Sequence, residues 1–187
     1  MELVVPENGF ISYNVPLTPL RIGSLSTRTA HPFFLSQIQQ IWDAVGLNVR
    51  IRNPYLHQTK GEMLAGCADQ QLLMSQVFES TSCGRFGRFG YKHCGRCVPC
   101  LVRRAGFARW GVDDSTEYVH EDLRAERAFD DVRSVALACL RADADGTLRW
   151  CGNALSHEYV GDVCAAADLV ERGLGELRAL LEHAGVL

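Results

Sequence analysis

Closely spaced cysteines are the first residues in this sequence whose types and positions could do chemistry. Cys94, Cys97 and Cys100 form a C-x2-C-x2-C run, and Cys83 precedes it in the same Gly- and Arg-rich segment. Four thiolates at loop-compatible spacing are the ligand set that a tetrahedral Zn²⁺ site requires. We therefore predict that these four cysteines hold one zinc ion, with Gly95 in the tight turn between the first two clustered ligands.

Other interpretations of these cysteines stay open from the spacing alone. One is a disulfide pair, and another is an iron–sulfur cluster, because C-x2-C-x2-C also opens the bacterial ferredoxin run. That run continues with C-x3-C-P, and nothing follows Cys100 at that distance, which favours zinc. His93 could replace a thiolate, but it is adjacent to Cys94, and neighbouring residues rarely both reach one ion. The remaining cysteines stand singly in apolar surroundings and are interpreted as small buried hydrophobic residues: Cys67, Cys139, Cys151 and Cys164.

The segment that holds the clustered cysteines is also basic. Residues 80–111 contain seven arginine and lysine residues and no acidic residue, a local patch that could bind phosphate, nucleic acid or a carboxylate. Phe86, Phe89 and Tyr91 are interleaved with them, which favours contact with a flat aromatic ligand. The alternative is that the basic residues of the following helix lie on a solvated face: Arg103, Arg104 and Arg109.

Length and composition bound the remaining choices. The chain has 187 residues, 47% hydrophobic and 22% charged, as expected for one globular domain with or without a small appendage. A net charge of −3 is too small to imply a partner. No secretory leader and no apolar run of about 18 residues is visible, so we expect no membrane contact. The eight cysteines follow metal spacing rather than a disulfide framework, which predicts a reducing, cytoplasmic setting.

Hydrophobic periodicity predicts the elements that must position these residues. Residues 10–15 have the pattern of a strand, residues 32–45 that of an amphipathic helix that ends at Gly46, and residues 47–52 that of a second strand. A strand, a helix and a strand within about 40 residues form a βαβ unit, so we expect the two strands to be parallel.

Further helices are predicted in the second half of the chain, at residues 98–110, 121–140 and 163–184. The first of them carries Cys97 and Cys100 at its N-terminus. The expected fold class is therefore α/β, with a partial parallel sheet, a zinc loop and an α-helical C-terminal extension. The expected domains are an α/β part, a zinc-binding loop with its helix, and a helical extension, at residues 1–80, 81–110 and 111–187.

A second set of residues could contact a ligand. Residues 24–31 are rich in hydroxyl groups, and Arg21, Arg28 and His31 lie in or beside this segment. A loop after a strand end is where ligands collect in an open α/β sheet, although a polar surface loop with a helix N-cap has the same composition. Lys60 starts a predicted helix just beyond the second predicted strand, which is a comparable place.

Several motifs together carry a family resemblance: Asn53-Pro-Tyr55, Thr59-Lys60-Gly-Glu62-Met63, Ser82-Cys83, His93-Cys-Gly-Arg-Cys-Val-Pro-Cys100 and Arg103-Arg104-Ala-Gly-Phe107. On these motifs the chain resembles the C-terminal half of the 7-cyano-7-deazaguanine synthase family, the QueC-like ATP-dependent ligases. Within that family it looks closest to the QueC-like proteins of the Qat anti-phage system, on the segments at 14–21, 23–29 and 31–32. The likeness covers roughly residues 7–110, and residues 113–187 carry no motif that we can assign.

The resemblance implies an N-type ATP pyrophosphatase with a Rossmann-like sheet and a structural zinc held by the four clustered cysteines. Such enzymes adenylate the carboxylate of 7-carboxy-7-deazaguanine and let ammonia displace AMP, which gives the amide and then the nitrile. Defence-associated relatives use related chemistry to attach a deazaguanine to a protein partner. Carried over to this chain, the resemblance assigns Lys60 to the nucleotide or the substrate carboxylate, and assigns five residues to the substrate: Arg21, Ser26, Arg28, Thr29 and His31.

The sequence departs from the family at the nucleotide site. The ATP-binding loop S-G-G-x-D-S is absent, and without its backbone donors this chain alone should not activate a carboxylate. We therefore expect a C-terminal piece that is inactive alone, so that ATP and Mg²⁺ enter only through an ATP-binding half in trans or upstream. The other expected partners are a 7-deazaguanine-type small molecule and a protein acceptor.

A second interpretation belongs to a different class of protein. The chain would then be a non-catalytic zinc module that binds a purine-like base, a nucleic acid or a protein partner. The missing ATP loop favours the module, whereas the intact segments 14–32 and 59–62 favour the ligase. Queuosine biosynthesis or antiviral defence is the expected setting of the ligase, and a homodimer stays open under both interpretations.

Overall fold

The computed structural model describes residues 1–19, 29–125, 131–156 and 158–187. Within these residues the fold is mixed α/β, with one two-stranded parallel sheet. The strands are β1 (Glu2–Val4) and β2 (Arg50–Arg52). The helices are α1 (Gly9–Ser12), α2 (Pro32–Ala44), α3 (Lys60–Ala65), α4 (Gln70–Gln76), α5 (Val98–Trp110), α6 (Val132–Asp145), α7 (Thr147–Leu155) and α8 (Val163–His183).

The chain divides into two compact units. The first comprises residues 1–59 and 141–173, and the second comprises residues 60–140 and 174–187. Buried apolar side chains of the first unit include Phe10, Tyr13, Leu17, Leu155 and Leu169. Those of the second include Leu101, Phe107, Leu174, Leu177 and Leu181. The predicted functional division at residues 80 and 110 stays a prediction.

The parallel sheet has the expected chain order but a different first strand. β1 and β2 pair in parallel, with Leu3 opposite Ile51, and α2 lies between them in the sequence. The prediction of a strand at residues 10–15 is wrong, because that segment forms α1 and the turn after it.

Local capping and close packing explain why residues 10–15 do not form a strand. The Asn8 side chain accepts a hydrogen bond from the Ile11 backbone N–H at 3.0 Å and so caps α1. A Cβ at Gly9 would lie 1.8 Å from the Leu56 carbonyl oxygen, so only glycine fits where α1 begins. Phe10, Tyr13 and Val15 are therefore buried in a helical turn and the chain that follows it, rather than on one face of a sheet.

Most predicted helices agree with the structure, and one starts later than expected. α2, α5 and α8 occupy nearly the predicted residues, and Gly46, at a φ of +73°, follows α2 as its stop signal. The helix expected at 121–140 is α6, which begins only at Val132. Asp122 instead makes a local turn, since its Oδ1 accepts the Arg124 backbone N–H at 2.9 Å. Across the part of the chain that the structure describes, every helix is too short or too polar to cross a membrane.

Candidate metal centre

The four predicted ligands come together in the second unit. The sulfur atoms of Cys83, Cys94, Cys97 and Cys100 all lie within 4.8 Å of one another, and all four residues are buried. Cys94 Sγ is 3.9 Å from Cys100 Sγ, and Cys97 Sγ is 3.9 Å from Cys83 Sγ. In a tetrahedral site with Zn–S bonds of about 2.3 Å, sulfurs stand about 3.8 Å apart. None of the four thiols is in a disulfide, so the donor set fits a metal ion.

The cysteines reach this arrangement because the loop meets the first turn of α5. Cys97 is the N-cap of α5, and Cys100 lies in its first turn. Gly95 has a φ of +83°, and a Cβ there would lie 2.3 Å from the His120 carbonyl oxygen. The turn between Cys94 and Cys97 therefore requires glycine, as the sequence predicts.

Backbone donors and the helix terminus favour negative charge on these sulfurs. The N–H groups of Arg85 and Cys94 each approach Cys83 Sγ at 3.3 Å, and the Cys97 N–H approaches Cys94 Sγ at 3.3 Å. The N-terminus of α5 adds the positive end of its dipole.

Close approach of the thiols makes their protonation states interdependent. Hydrogen bonds from Cys100 and then Cys97 lower the pKa of Cys94 far below its ordinary range. The bonds to Cys94 and Cys97, together with burial, raise the pKa of Cys100. A divalent cation would remove this conflict, because all four sulfurs could then carry negative charge beside it.

His93 is not placed as a fifth ligand. Its Nε2 accepts a hydrogen bond from the Ser82 backbone N–H at 3.2 Å. Burial, and then the Arg103 guanidinium, lower the pKa of His93, which keeps the ring neutral at pH 7. The ring also meets Phe86 edge-on, with centroids 5.3 Å apart. His93 therefore braces the loop around the metal centre.

Arg103 is a buried residue that joins neighbouring segments through hydrogen bonds, and it does not lie on a solvated face. It is only 2% exposed, and its guanidinium donates to the Val77 carbonyl oxygen at 2.7 Å, the Ser80 hydroxyl at 2.9 Å and the Thr116 hydroxyl at 3.0 Å. The bonds to Val77 and Ser80 tie the segment that leads into Cys83 to α5, and the bond to Thr116 ties in the segment that follows α5. The solvated-face alternative holds for Arg109 but not for Arg103.

Arg104 also has a local structural role. Its guanidinium carbon lies 4.0 Å from the centre of the Tyr118 ring, and the group donates to the carbonyl oxygens of Glu121 at 2.8 Å and His120 at 3.1 Å. These contacts hold residues 118–121 against the metal loop.

Asp131 is a site residue that the sequence analysis missed. Its Oδ2 accepts the Val98 backbone N–H at 2.9 Å, which satisfies the N-terminus of α5 beside the cysteines. Its Oδ1 lies 3.9 Å from the Arg85 guanidinium. No local signal could identify this residue, because it caps the start of a helix distant in sequence.

The aromatic residues of the loop divide into a packed group and an exposed one. Phe86 and Phe89 pack against the buried cysteine cluster. Tyr91 is 78% exposed and adopts a φ of +62°, which is uncommon for a residue with a side chain. The Tyr91 ring meets Phe86 edge-on, with centroids 6.0 Å apart, and its exposed part is where this basic segment could meet a flat ligand.

The predicted substrate residues are only partly described. Arg21, Ser26 and Arg28 lie outside the described residues, and Thr29 is exposed. His31 is buried; its Nε2 donates to the Ala154 carbonyl oxygen at 3.0 Å, and its Nδ1 accepts the Phe33 N–H at 3.2 Å. Both ring nitrogens are thus engaged, and His31 is the N-cap of α2.

Lys60 is the first residue of α3 in the second unit, where α3 packs closely on α5. A Cβ at Gly61 would lie 2.5 Å from Arg109 Cβ, and one at Gly106 would lie 3.0 Å from Lys60 Cγ. The glycines of two resemblance motifs therefore allow these helices to approach, and the aliphatic part of Lys60 packs on α5.

Two further polar residues of the first unit, Tyr13 and Asn14, are buried. The Tyr13 hydroxyl is buried and has no hydrogen-bond partner in the described part of the chain, and burial raises its pKa. Asn14, also buried, has a φ of +50°. The sequence analysis missed both residues, since it read them as one strand.

Known proteins resemble this chain over part of its length. Over 100 residues, 50% of the chain, it is 32% identical to the 7-cyano-7-deazaguanine synthase of Desulfitobacterium hafniense, and the match covers 40% of that protein. Over 77 residues, 41% of the chain, it is 37% identical to the proteins of the same name from Brucella ovis and Brucella canis, and covers 30% of each. No protein-family model and no solved structure matches the chain.

The predicted resemblance to 7-cyano-7-deazaguanine synthases is thereby confirmed for a part of the chain. The matches span well under half of the curated relatives' own length. The closer likeness to proteins of the Qat system stays a prediction.

Proposed function

We propose that this chain is the zinc-binding, substrate-side portion of an ATP-dependent ligase similar to 7-cyano-7-deazaguanine synthases. The observation that carries the proposal is the cluster of four buried thiols where the loop meets α5, in a chain that resembles those synthases. Zinc, when bound, would supply a rigid cross-link rather than a reactive group, because four thiolates leave no open coordination position.

The chain's own residues would position the substrate. Arg103 and Asp131 hold the two sides of the loop, so that the start of α5 is fixed relative to α3 and Lys60. We assign Lys60 to the substrate carboxylate or the nucleotide, since an ammonium group at a helix start can meet an anion. His31 would act by fixing the start of α2, and the proposed contacts with the deazaguanine belong to Arg21, Ser26, Arg28 and Thr29.

An ATP-binding half would supply the remaining chemistry. The chain contains no S-G-G-x-D-S loop, so ATP and Mg²⁺ would bind through a partner half that also extends the parallel sheet into a Rossmann-like domain. The reaction would be adenylation of a carboxylate, followed by displacement of AMP by an amine. That amine would be ammonia in queuosine biosynthesis, or an amine of a protein acceptor in antiviral defence. A cytoplasmic setting and a homodimer stay predictions.

A zinc module without catalysis is the second candidate, and Tyr91 is the observation that favours it. An exposed aromatic ring in a basic segment of the chain is a suitable stacking platform for a base. Such a module would bind a purine-like base or a single-stranded nucleic acid without any ATP-binding half.

Release of AMP distinguishes the two candidates. The purified chain would be mixed with a protein from the same genome that carries S-G-G-x-D-S, and AMP would be measured with ATP and 7-carboxy-7-deazaguanine. We expect AMP only when both proteins are present, and much less with Cys100→Ser. The control Cys164→Ser should match the wild type, because Cys164 is exposed rather than buried as the sequence analysis expected. Absence of AMP, together with nucleic-acid binding lost in Tyr91→Ala, would favour the module instead.

A further inference from the structure

The two outer edges of the parallel sheet differ in whether their backbone groups have hydrogen-bond partners. In a parallel ladder, alternate residues of a strand direct their N–H and C=O groups to opposite neighbours. The Arg50 N–H donates to the Met1 carbonyl oxygen at 3.0 Å, and the Val5 N–H donates to the Arg52 carbonyl oxygen at 2.8 Å. Residues 50 and 52 of β2 therefore face β1, and the backbone groups of Val49 and Ile51 face outward.

A side chain closes the outer edge of β2. The Gln39 amide nitrogen donates to the Val49 carbonyl oxygen at 2.9 Å, and the Gln39 amide oxygen accepts the Ile51 N–H at 2.8 Å. One glutamine of α2 thus makes the two hydrogen bonds that a neighbouring strand would make. A third strand is not needed on this side.

The outer edge of β1 has no such closure. By the same alternation, the backbone groups of Glu2 and Val4 face away from β2. Within the described residues, the N–H and C=O groups of Glu2 and Val4 have no hydrogen-bond partner on that side. Unpaired strand edges of this kind are templates for pairing with another strand.

The side chains of β1 indicate what should cover it. Leu3 and Val4 point to opposite faces of the sheet, yet they are 46% and 43% exposed. An apolar run such as Leu3-Val4-Val5 is typical of a strand buried on both faces of a parallel sheet. β1 therefore has the composition of an inner strand at the position of an edge strand, and two strands alone form a marginal sheet.

Helix α2, beside the sheet, also exposes apolar side chains. No residue of α2 is buried, although Phe34, Ile38, Ile41 and Val45 recur at the spacing that places them on one face. Of these, Phe34, Ile41 and Val45 are large exposed hydrophobic residues. An amphipathic helix in an α/β protein normally buries such a stripe.

We propose that the outer edge of β1 is a docking site for an apolar β-strand of an ATP-binding α/β half, which adds in parallel and continues the sheet. This inference rests on the proposed function for the identity of the partner. It is consistent with the length of the curated relatives, since the matches cover only 40% and 30% of them. Because the Gln39 side chain occupies the outer edge of β2, a further strand would add to β1, the other of the two strands within the described residues.

Amide hydrogen exchange of the full chain tests whether the outer edge of β1 is unpaired. In the chain alone, the Glu2 and Val4 amides should exchange at least about tenfold faster than the paired Val5 and Ile51 amides. Addition of the same-genome protein that carries S-G-G-x-D-S should slow Glu2 and Val4 and leave Ile51 unchanged.

A pair of substitutions isolates the backbone donor. Val4→Pro removes an outward N–H, a change that edge strands tolerate, and should weaken the association about tenfold, as expected for one lost hydrogen bond. Val4→Ala keeps the N–H while shortening the side chain, so it should retain more of the affinity. Continued protection of the Val5 amide in Val4→Pro would show that the sheet itself is intact.

The outcomes separate this inference from the proposed function. One outcome overturns the docking site and leaves the function intact. In that outcome the complex forms AMP, the Glu2 and Val4 amides still exchange freely, and Val4→Pro binds as Val4→Ala does. A protected edge without AMP formation supports the docking site and counts against the function. Protection of the edge by a second copy of this chain, or no association with the ATP-binding protein, overturns the proposed partner.

Discussion

At the scale of single residues, Gly95 has the strictest steric requirement in the metal loop. Its positive φ and the His120 carbonyl oxygen, which a Cβ would approach to 2.3 Å, both exclude a side chain. The sequence predicts the glycine, because metal-binding turns between clustered cysteines are tight. It could not predict the contact with His120, since that residue comes from a later segment that carries no motif.

Gly95→Ala should therefore destabilise the second unit. The left-handed backbone alone costs about 1–2 kcal/mol for alanine, and the backbone contact adds to that. Urea unfolding measures the loss. Gly84→Ala, in the same loop but with nothing within 4 Å of its Cβ position, is the matched control and should stay within about 0.5 kcal/mol of the wild type.

Arg103 gives a second test at this scale. Arg103→Lys keeps the charge but cannot reach Val77, Ser80 and Thr116 together, because lysine has no planar fork of donors. We expect a loss of about 2 kcal/mol in the free energy of unfolding, from buried acceptors left unpaired. Arg109→Lys, on the exposed side of α5, should be nearly neutral. Equal effects of the two substitutions would contradict the proposed role of the Arg103 hydrogen bonds in stability.

At the scale of elements, helices with a clear period could be predicted and the first strand could not. α5 and α8 follow their hydrophobic spacing, and Gly46 stops α2 where expected. The segment 10–15 has the alternation of a strand, but a cap at Asn8 and the tight packing of Gly9 produce a helical turn. A buried helical turn followed by a loop can show the same alternation of apolar residues as a half-buried strand. The sequence alone therefore cannot distinguish the two.

Two glycines of α8 test how closely this helix is packed. A Cβ at Gly173 would lie 2.3 Å from the Phe10 ring, whereas Gly175 has nothing within 4 Å. Gly173→Ala should destabilise the protein by about 1–3 kcal/mol through overpacking. Gly175→Ala should stabilise it by about 0.5–1 kcal/mol, because glycine is unfavourable within a helix. Thermal or urea unfolding of both variants provides the comparison, and the same sign for both would contradict the packing of Phe10 on α8.

At the scale of the whole molecule, the sequence predicts which four cysteines come together but not which segments form each unit. The four cysteines lie within a short segment, so their spacing carries the signal. The units combine distant segments, such as 1–59 with 141–173, and the pairing of such segments depends on apolar contacts that have no motif. Asp131 at the start of α5 was missed for the same reason.

A lower pH should weaken metal binding by the four cysteines, because their thiols must lose protons to bind the ion. Metal binding requires thiolates, so protons compete with the metal ion for the four sulfur atoms. Stability from the metal is then present at neutral pH and is lost as pH falls through the titration of the folded site. Zinc transfer to a chromophoric chelator should be faster at about pH 5.5 than at about pH 7.5. A rate independent of pH would argue against thiolate ligands.

X-ray absorption at the zinc edge, combined with metal analysis of the purified full chain, tests the central claim most directly. We predict one zinc per chain, bound by four sulfur atoms at about 2.3 Å, and loss of that signal in Cys100→Ser but not in Cys164→Ser. A brown protein that contains iron, or a chain without stoichiometric metal whose clustered thiols form disulfides, would contradict it.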